Sequence, residues 1–171
     1  MKKLILLTTL SWIGLLCWAQ AQPKLADLVA EVNGEWMFGE WVAYTESGEE
    51  MTQKVSWDLD KHVVVMHFQS PMFEVKAMTG LDPATGQVKY VGFSNRGGAL
   101  TGTWGEEDGW PLLRLRGANA DGQVWKMALL YKRVDDKTMR VEIYGMDDSD
   151  NVIQPARTTT QFKRKDKKPQ N

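Results

Sequence analysis

Cysteine is nearly missing from this chain of 171 residues, since Cys17 is its single instance. Without a second thiol, no disulfide within the chain can staple the fold. Histidine is scarce as well, with only His62 and His67. Their spacing of five places them on opposite faces of a regular strand, so they cannot jointly hold one metal ion there. The sequence therefore predicts neither thiol chemistry nor a metal site, and it contains no cofactor motif.

A hydrophobic run long enough to cross a bilayer is also missing. Residues 1–21 instead combine a positive start (Lys2 and Lys3), an apolar core from Leu4 to Leu16, and the sequence Ala19-Gln-Ala21. This order is typical of a cleaved secretory signal. The residue before Cys17 is Leu16, where lipidating peptidases require a small residue. The sequence predicts cleavage after Ala21, a periplasmic or secreted protein, and no membrane anchor in the mature form.

Positive charge is in deficit once residues 1–21 are removed. The segment 22–162 has 14 Lys and Arg against 21 Asp and Glu, a net charge of −7, and the remaining cations cluster in the tail around 163–168. An acidic body argues against nucleic acid as a partner. We expect one domain over 22–164, followed by a basic, solvated tail at 165–171.

Helical spacing is confined to one short segment, Pro23 to Val32, which Asn33-Gly34 ends. Beyond it the apolar period changes to two, and turn residues separate short runs rich in β-branched and aromatic residues. Strands are predicted at 35–45, 51–58, 62–69, 72–81, 87–94, 99–105, 112–117, 123–134, 138–146 and 152–164. Because an open sheet of this size would leave two exposed edges, the prediction is an all-β, closed antiparallel meander barrel of about 8–10 strands with a short N-terminal helix.

The junction between helix and first strand carries two tryptophans in VNGEWMFGEW, residues 32–41. A short helix followed by Gly34-x-Trp36 resembles the calycin superfamily of lipocalins, fatty-acid-binding proteins and nitrobindin-like barrels, and small secreted bacterial proteins of unknown function. The resemblance implies that Trp36 closes the barrel floor, with Arg157 or Arg164 across its indole. Trp41 is expected on the outer wall or at the rim. Phe38 replaces a glycine of the nitrobindin motif, so haem ligation is not carried over.

Alternating side chains supply the candidates for a ligand site. Apolar residues such as Val55, Leu115 and Met127 are predicted to face the core. The polar rows of the late strands could face either way; most are expected to face outward, because buried charges are costly unless paired. Arg116, Glu142 and Tyr144 are predicted to face inward, and His67 to face a cavity. The predicted ligand-binding residues are Trp57, His67, Arg116, Trp125, Glu142 and Tyr144; no catalytic or metal-binding residue is predicted.

Three functional hypotheses follow from these patterns. The first is a binding protein that holds a small, partly apolar ligand in the barrel, with an anionic group near Arg116 and Tyr144 as an option. The second is an envelope structural or interaction protein with a filled barrel, acting through rim loops that include Trp110. The third is a cofactor-free enzyme using Glu142 and Tyr144 for proton transfer. The sequence leaves the ligand's identity and the oligomeric state open.

Overall fold

Ten antiparallel strands close into a barrel in the computed structural model, which describes residues 24–119 and 121–165. Each strand pairs with its neighbours along the chain, and the first pairs with the last. The strands are β1 (Gly39–Tyr44), β2 (Glu50–Asp58), β3 (Val63–Gln69), β4 (Glu74–Asp82), β5 (Gln87–Ser94), β6 (Ala99–Glu107), β7 (Trp110–Ala118), β8 (Val124–Asp135), β9 (Thr138–Met146) and β10 (Val152–Arg164). The predicted closed meander is confirmed. The predicted signal segment at 1–21 lies outside the described residues, as does the tail beyond 165.

The short helix α1 (Leu25–Glu31) forms where the apolar spacing predicts it. Its first turn is fixed by the Asp27 carboxylate, which accepts a hydrogen bond from the backbone N–H of Lys24 (3.0 Å). The helix is followed by Asn33 in the left-handed conformation (φ 49°), which reverses the chain. No helix in the described ranges has the length and hydropathy needed to cross a membrane.

The first strand starts four residues later than predicted. Residues Gly34–Met37 form a 3₁₀ turn that contains Trp36, and β1 begins only at Gly39. Gly39 has φ 119°, a conformation that favours glycine, and a Cβ there would also press on the guanidinium of Arg164. The period-two pattern of the local sequence did not reveal this turn, because the turn is held by Arg164, which lies more than a hundred residues further along the chain.

The core fills the barrel interior with alternate side chains from every strand, among them Val55, Met66, Leu115 and Tyr131. A second, smaller apolar cluster lies on the outer wall of β7–β9, where Leu112, Leu130 and Tyr144 are buried. It is covered in part by Val152, which precedes an irregularity in the pairing of β10 with β9, and by Ala156, which lies within that irregularity. The late strands are thus apolar on parts of both faces.

Trp41 is 1% exposed inside the barrel, so its predicted position on the outer wall is wrong. Because β1 starts at Gly39, alternation directs Trp41 and Ala43 inward. The Arg164 guanidinium carbon lies 4.2 Å from the indole centre of Trp41, so the expected cation from the last strand is present but sits on the other tryptophan. Trp36 is half-buried and meets Trp110 edge-on, with ring centroids 6.5 Å apart.

The strand pairing that closes the barrel, between β1 and β10, is short. β1 contributes two residue pairs with β10, Trp41 with Arg164 and Val42 with Lys163. Residues 152–153 and 158–161 of β10 pair with β9, and none of residues 152–161 has a partner on β1 among the described strands. We call the end of the barrel that carries α1 the α1 end, and the end with the β1–β2 and β9–β10 turns the opposite end. The wall beside β10 is therefore incomplete toward the opposite end.

Candidate ligand-binding site

A cavity of about 500 Å³ lies at the α1 end, between α1 and the barrel interior. The helix contributes Leu25, Leu28 and Val29, which follow the helical spacing seen in the sequence. The turns between β4 and β5 and between β6 and β7 border the opening through Gly86 and Gly109. This volume falls within the range of roughly 300–1,000 Å³ that is typical of small-molecule sites.

The strands supply the cavity's deeper wall through inward-facing positions. Val55 on β2 pairs directly with Met66 on β3, and Val64 lies two residues before Met66 on the same face. Val88 on β5 and Trp104 on β6 also line the cavity. Alternation explains this wall, because residues two apart on a strand share a face. An apolar guest would therefore contact branched aliphatic side chains, a thioether and an indole.

Polar groups are few and placed in two positions. Deep in the wall, the Trp104 indole N–H donates to the Thr79 hydroxyl oxygen (3.1 Å), and Thr79 is 4% exposed. Glu31, Gln87 and Glu106 also line the cavity. The lining residues in the described chain include no Lys, Arg or His. Most of the lining is apolar and would suit an apolar molecule, and because both ionisable groups are acids, an anionic molecule would be repelled.

The interior beside this cavity is also uncharged. Tyr131 packs against Trp104 with ring centroids 5.4 Å apart. Burial, reinforced by nearby Tyr90, raises the pKa of Tyr131 above its ordinary value. Burial likewise raises the pKa of Tyr90 to about 12. Both phenols therefore stay neutral at physiological pH and add polar edges without charge.

Two of the predicted ligand-binding residues, Trp57 and Trp125, lie on the inner wall. Trp57 stacks on Phe38 with centroids 4.6 Å apart and planes 23° apart. Since Phe38 lines the cavity, Trp57 supports its wall from behind. Trp125 lies toward the opposite end, where its six-membered ring covers Gly117 so closely that any Cβ there would overlap it.

The other four lie on the outer wall, which contradicts the inward orientation expected of Arg116, Glu142 and Tyr144. His67, which was expected to face a cavity, lines a small pocket of about 240 Å³. His67 shares the outer face with Glu74, and its Nε2 is 2.7 Å from a Glu74 carboxylate oxygen. Arg116 is exposed and forms an ion pair with Asp150. Glu142 and Tyr144 belong to the outer face of β9, because Val141 occupies the core on the inner face. Whether any of these four contacts a ligand remains a prediction.

Glu142 and Tyr144 do contact each other: the Tyr144 hydroxyl donates to a Glu142 carboxylate oxygen at 2.7 Å. Glu142 also pairs with Lys132 (2.9 Å) and Arg140 (3.0 Å). Burial alone would raise the pKa of Glu142, but the hydrogen bonds from Lys132 and Tyr144 and the two cationic charges outweigh it and lower the pKa. Burial and the Glu142 carboxylate raise the pKa of Tyr144 to about 12.

This cluster holds a stable carboxylate and a neutral phenol, which is a poor arrangement for proton transfer near neutral pH. Neither residue lines the α1-end cavity. Trp110 was predicted to contact a partner from a rim loop. Its indole is instead half-buried, packed against Trp36 and the outer apolar cluster. The described residues also contain no group of three or more His, Cys, Asp or Glu placed to hold a metal ion.

Sequence reasoning missed Phe38, Val64, Thr79 and Val88 as parts of the cavity wall. Period-two spacing carries the signal for Val64 and Val88, but it does not say which stretch of the inner wall stays unfilled. Phe38 follows the 3₁₀ turn that the sequence pattern did not show. Neither protein-family models nor curated proteins give a match to this chain. The geometry of the structure alone therefore defines the fold. It is a closed ten-stranded meander barrel, which is compatible with a calycin-like architecture.

Proposed function

We propose that the protein is a secreted or periplasmic binding protein that holds a small, largely apolar molecule in the cavity at the α1 end. The observation that carries the proposal is the apolar cavity of about 500 Å³ between α1 and the inner wall. The location rests on the signal-like sequence of residues 1–21. A calycin-like relationship is part of the proposal and is supported by the helix, Gly34-x-Trp36 and the closed meander.

The chemistry of the lining residues limits which kind of molecule the cavity can hold. Thr79 and Trp104 already satisfy each other by a hydrogen bond, so the deep wall makes few polar demands. A guest that fits there is neutral and apolar, with any polar group at the end nearest Glu31 and Glu106. Arg116 and Tyr144, the predicted partners of an anionic group, lie on the outer wall and do not serve this cavity.

Native mass spectrometry of the protein purified from its own envelope tests the proposal directly, because a retained guest adds its mass to the folded chain. In vitro, the neutral fluorophore N-phenyl-1-naphthylamine serves as the apolar probe. Val88→Trp places an indole in the cavity, and we expect it to weaken probe binding about ten-fold or more. Val91→Trp is the matched control, because it puts the same side chain on the outer face of the same strand.

Wild-type protein that binds no probe, or a Val88→Trp variant that binds it as tightly as Val91→Trp does, would contradict the proposal. Circular dichroism and the urea midpoint establish that both variants keep the fold. A guest seen by mass spectrometry and displaced by the probe would place both in the same cavity.

A second candidate, an envelope interaction protein, is favoured by an exposed apolar strip on the outer wall. Met78 pairs with Val91 across β4 and β5, and Phe93 follows on β5; all three are strongly exposed. Exposed apolar patches of this kind mark contact surfaces. If this is the function, Phe93→Asp should abolish recovery of a specific partner from the envelope fraction, whereas Thr101→Asp on neighbouring β6 should not. Equal recovery with both variants would exclude the strip.

A further inference from the structure

Two glycines on the inner wall toward the opposite end are each covered by a large side chain. Trp125 covers Gly117, and the guanidinium of Arg157 covers Gly145. A Cβ at either position would overlap the covering group, so glycine is required for both side chains to lie against the wall. These positions are close in the sheet, because Gly117 pairs with Trp125 and Gly145 pairs with Met127, two residues further along β8.

The guanidinium of Arg157 lies on the inner side of the wall, although the residue as a whole is exposed to solvent. Met127 packs on the main core, and its cross-strand partner Gly145 shares that inner face. The guanidinium atoms of Arg157 lie where a Gly145 side chain would be, on the same face. The preceding residue, Ala156, packs instead against the outer apolar cluster. The irregular pairing between Ile153 and Thr158 is what allows β10 to fold Arg157 over the wall.

Arg157 makes no hydrogen bond or ion pair with any residue in 24–119 or 121–165, the ranges that the structure covers. Of the three carboxylates in the adjacent β9–β10 turn, that of Asp148 is exposed to solvent and the other two are already engaged. Asp150 pairs with Arg116 and Lys126, and Asp147 accepts from Asn151 and Ser149. An arginine has five N–H donors in a planar fork and stays charged at any physiological pH. Within the described residues this cation therefore has no counter-charge, although the body of the protein is acidic.

The inner-wall positions of β8 and β9 next to Arg157 are apolar and reachable. Trp125, Met127, Leu129 and Ile143 are inner-wall residues, yet each is only half-buried, in contrast to the fully buried Val141 nearby. The missing β1 partner for residues 152–161 leaves this side of the wall open. Apolar inner-wall side chains thus flank a guanidinium that lacks a partner in the part of the chain that the structure describes, at an open end of the barrel.

We propose that this opposite end is a second binding site, one that takes an apolar carboxylic acid. Arg157 binds the carboxylate through its paired N–H donors, and Trp125 and Met127 contact the apolar part. One guanidinium matches one negative charge; a phosphate dianion would call for a second cation, and Lys126 is held on the outer side by Asp150 and two turn carbonyls. This site is separate from the α1-end cavity and does not depend on it.

Decanoate is the probe, with decanol as its uncharged counterpart and decyl phosphate as the dianion. Binding to the full chain is measured by isothermal titration and by tryptophan fluorescence. We expect wild-type protein to prefer decanoate over decanol by about ten-fold or more, the usual scale for a charge-assisted pair. Arg157→Gln should remove this preference, and Arg157→Lys should retain part of it, since lysine keeps the charge but loses the fork.

Gly145→Ala is the positional control, because it keeps the arginine but forces its guanidinium off the wall. It should lower the decanoate preference while leaving the urea midpoint close to that of wild type. Val88→Trp, which fills the other cavity, should leave the preference unchanged, so failure at one site is separable from failure at the other. Equal binding of decanoate by Arg157→Gln and wild type, or tighter binding of decyl phosphate than decanoate, would overturn the assignment.

Discussion

Arg164 joins three parts of the chain at the α1 end. Its guanidinium donates to the carbonyl oxygens of Trp36 and Phe38 (2.7 Å each) and of Asp136 (3.3 Å), while it also covers the Trp41 indole. These contacts tie the end of β10 to the 3₁₀ turn and to the β8–β9 connection. The guanidinium also satisfies backbone carbonyls that would otherwise end a turn without partners. A single side chain therefore reinforces the short closure between β1 and β10.

Replacing Arg164 by lysine keeps the positive charge but removes the fork that reaches separate carbonyls. We expect Arg164→Lys to lower the free energy of unfolding by about 2–3 kcal/mol, the sum expected for lost charged hydrogen bonds and a weaker contact with the ring. Urea unfolding followed by tryptophan fluorescence measures the change. Arg133→Lys is the control, because its partner Asp136 is exposed and such pairs contribute little. Equal effects at the two positions would show that Arg164 has no special role.

Gln53 presents the opposite case, a polar group with too few partners. The side chain is 5% exposed on the inner face, opposite Trp41 and Phe68, and its amide nitrogen has no hydrogen-bond partner within the described residues. A buried donor of this kind costs about 1–3 kcal/mol. Gln53→Met keeps the length of the side chain without the donor, so we expect the free energy of unfolding to rise by about 1 kcal/mol. A clear decrease in the urea midpoint would mean that the amide has a stabilising partner.

At the scale of elements, period-two spacing predicted the strands well, and it explains most of the inner wall. It did not give the orientation of the polar rows, because a strand's two faces are equivalent until register is set by its neighbours. On β9 both faces are partly apolar, since Tyr144 joins an outer cluster. Arg116, Glu142 and Tyr144 consequently carried no sequence signal that separates an inner from an outer position.

The β4–β5 hairpin is held by one carboxylate that acts as a local hub. Asp82 accepts hydrogen bonds from the Lys89 ammonium, the Ala84 backbone N–H and the Thr85 hydroxyl. These bonds, with that from Lys89 first, lower the pKa of Asp82 from 3.8 to about 2. Because this hairpin borders the opening of the α1-end cavity, its order is relevant to the proposed entry of a guest.

The lowered pKa fixes how Asp82 contributes to stability. Between pH 3.8 and about 2 the unfolded state binds more protons at this residue than the folded state, so stability falls as the pH falls through that window. We expect wild type to be more stable than Asp82→Asn at pH 6, with the difference shrinking below about pH 4 and vanishing near pH 2. Urea midpoints across this pH range test it. A difference independent of pH would show that the asparagine side chain acts by another route.

For the whole molecule, closure by β1 and β10 makes the barrel a single cooperative unit. The two ends differ in chemistry. The α1 end is bordered by a helix and lined by apolar residues with acids, whereas at the opposite end Arg157 lies beside an incomplete wall with no partner among the described residues. Composition and spacing predicted the closed barrel but not this difference between its two ends. This difference depends on the short β1–β10 pairing, the irregularity in β10 and two glycines, which are properties of the assembled sheet.

A guest bound only by the folded barrel must stabilise all of it, because no strand can leave without opening the closed sheet. We expect N-phenyl-1-naphthylamine at one hundred times its Kd to raise the free energy of unfolding by about 2.7 kcal/mol, and to do so equally in Arg157→Gln. In Val88→Trp, whose cavity is filled, the same probe concentration should produce little change. Unfolding followed by far-ultraviolet circular dichroism measures these differences without interference from the fluorophore. If the probe stabilises Val88→Trp as much as wild type, it binds elsewhere, and the α1-end cavity is not the container proposed for it.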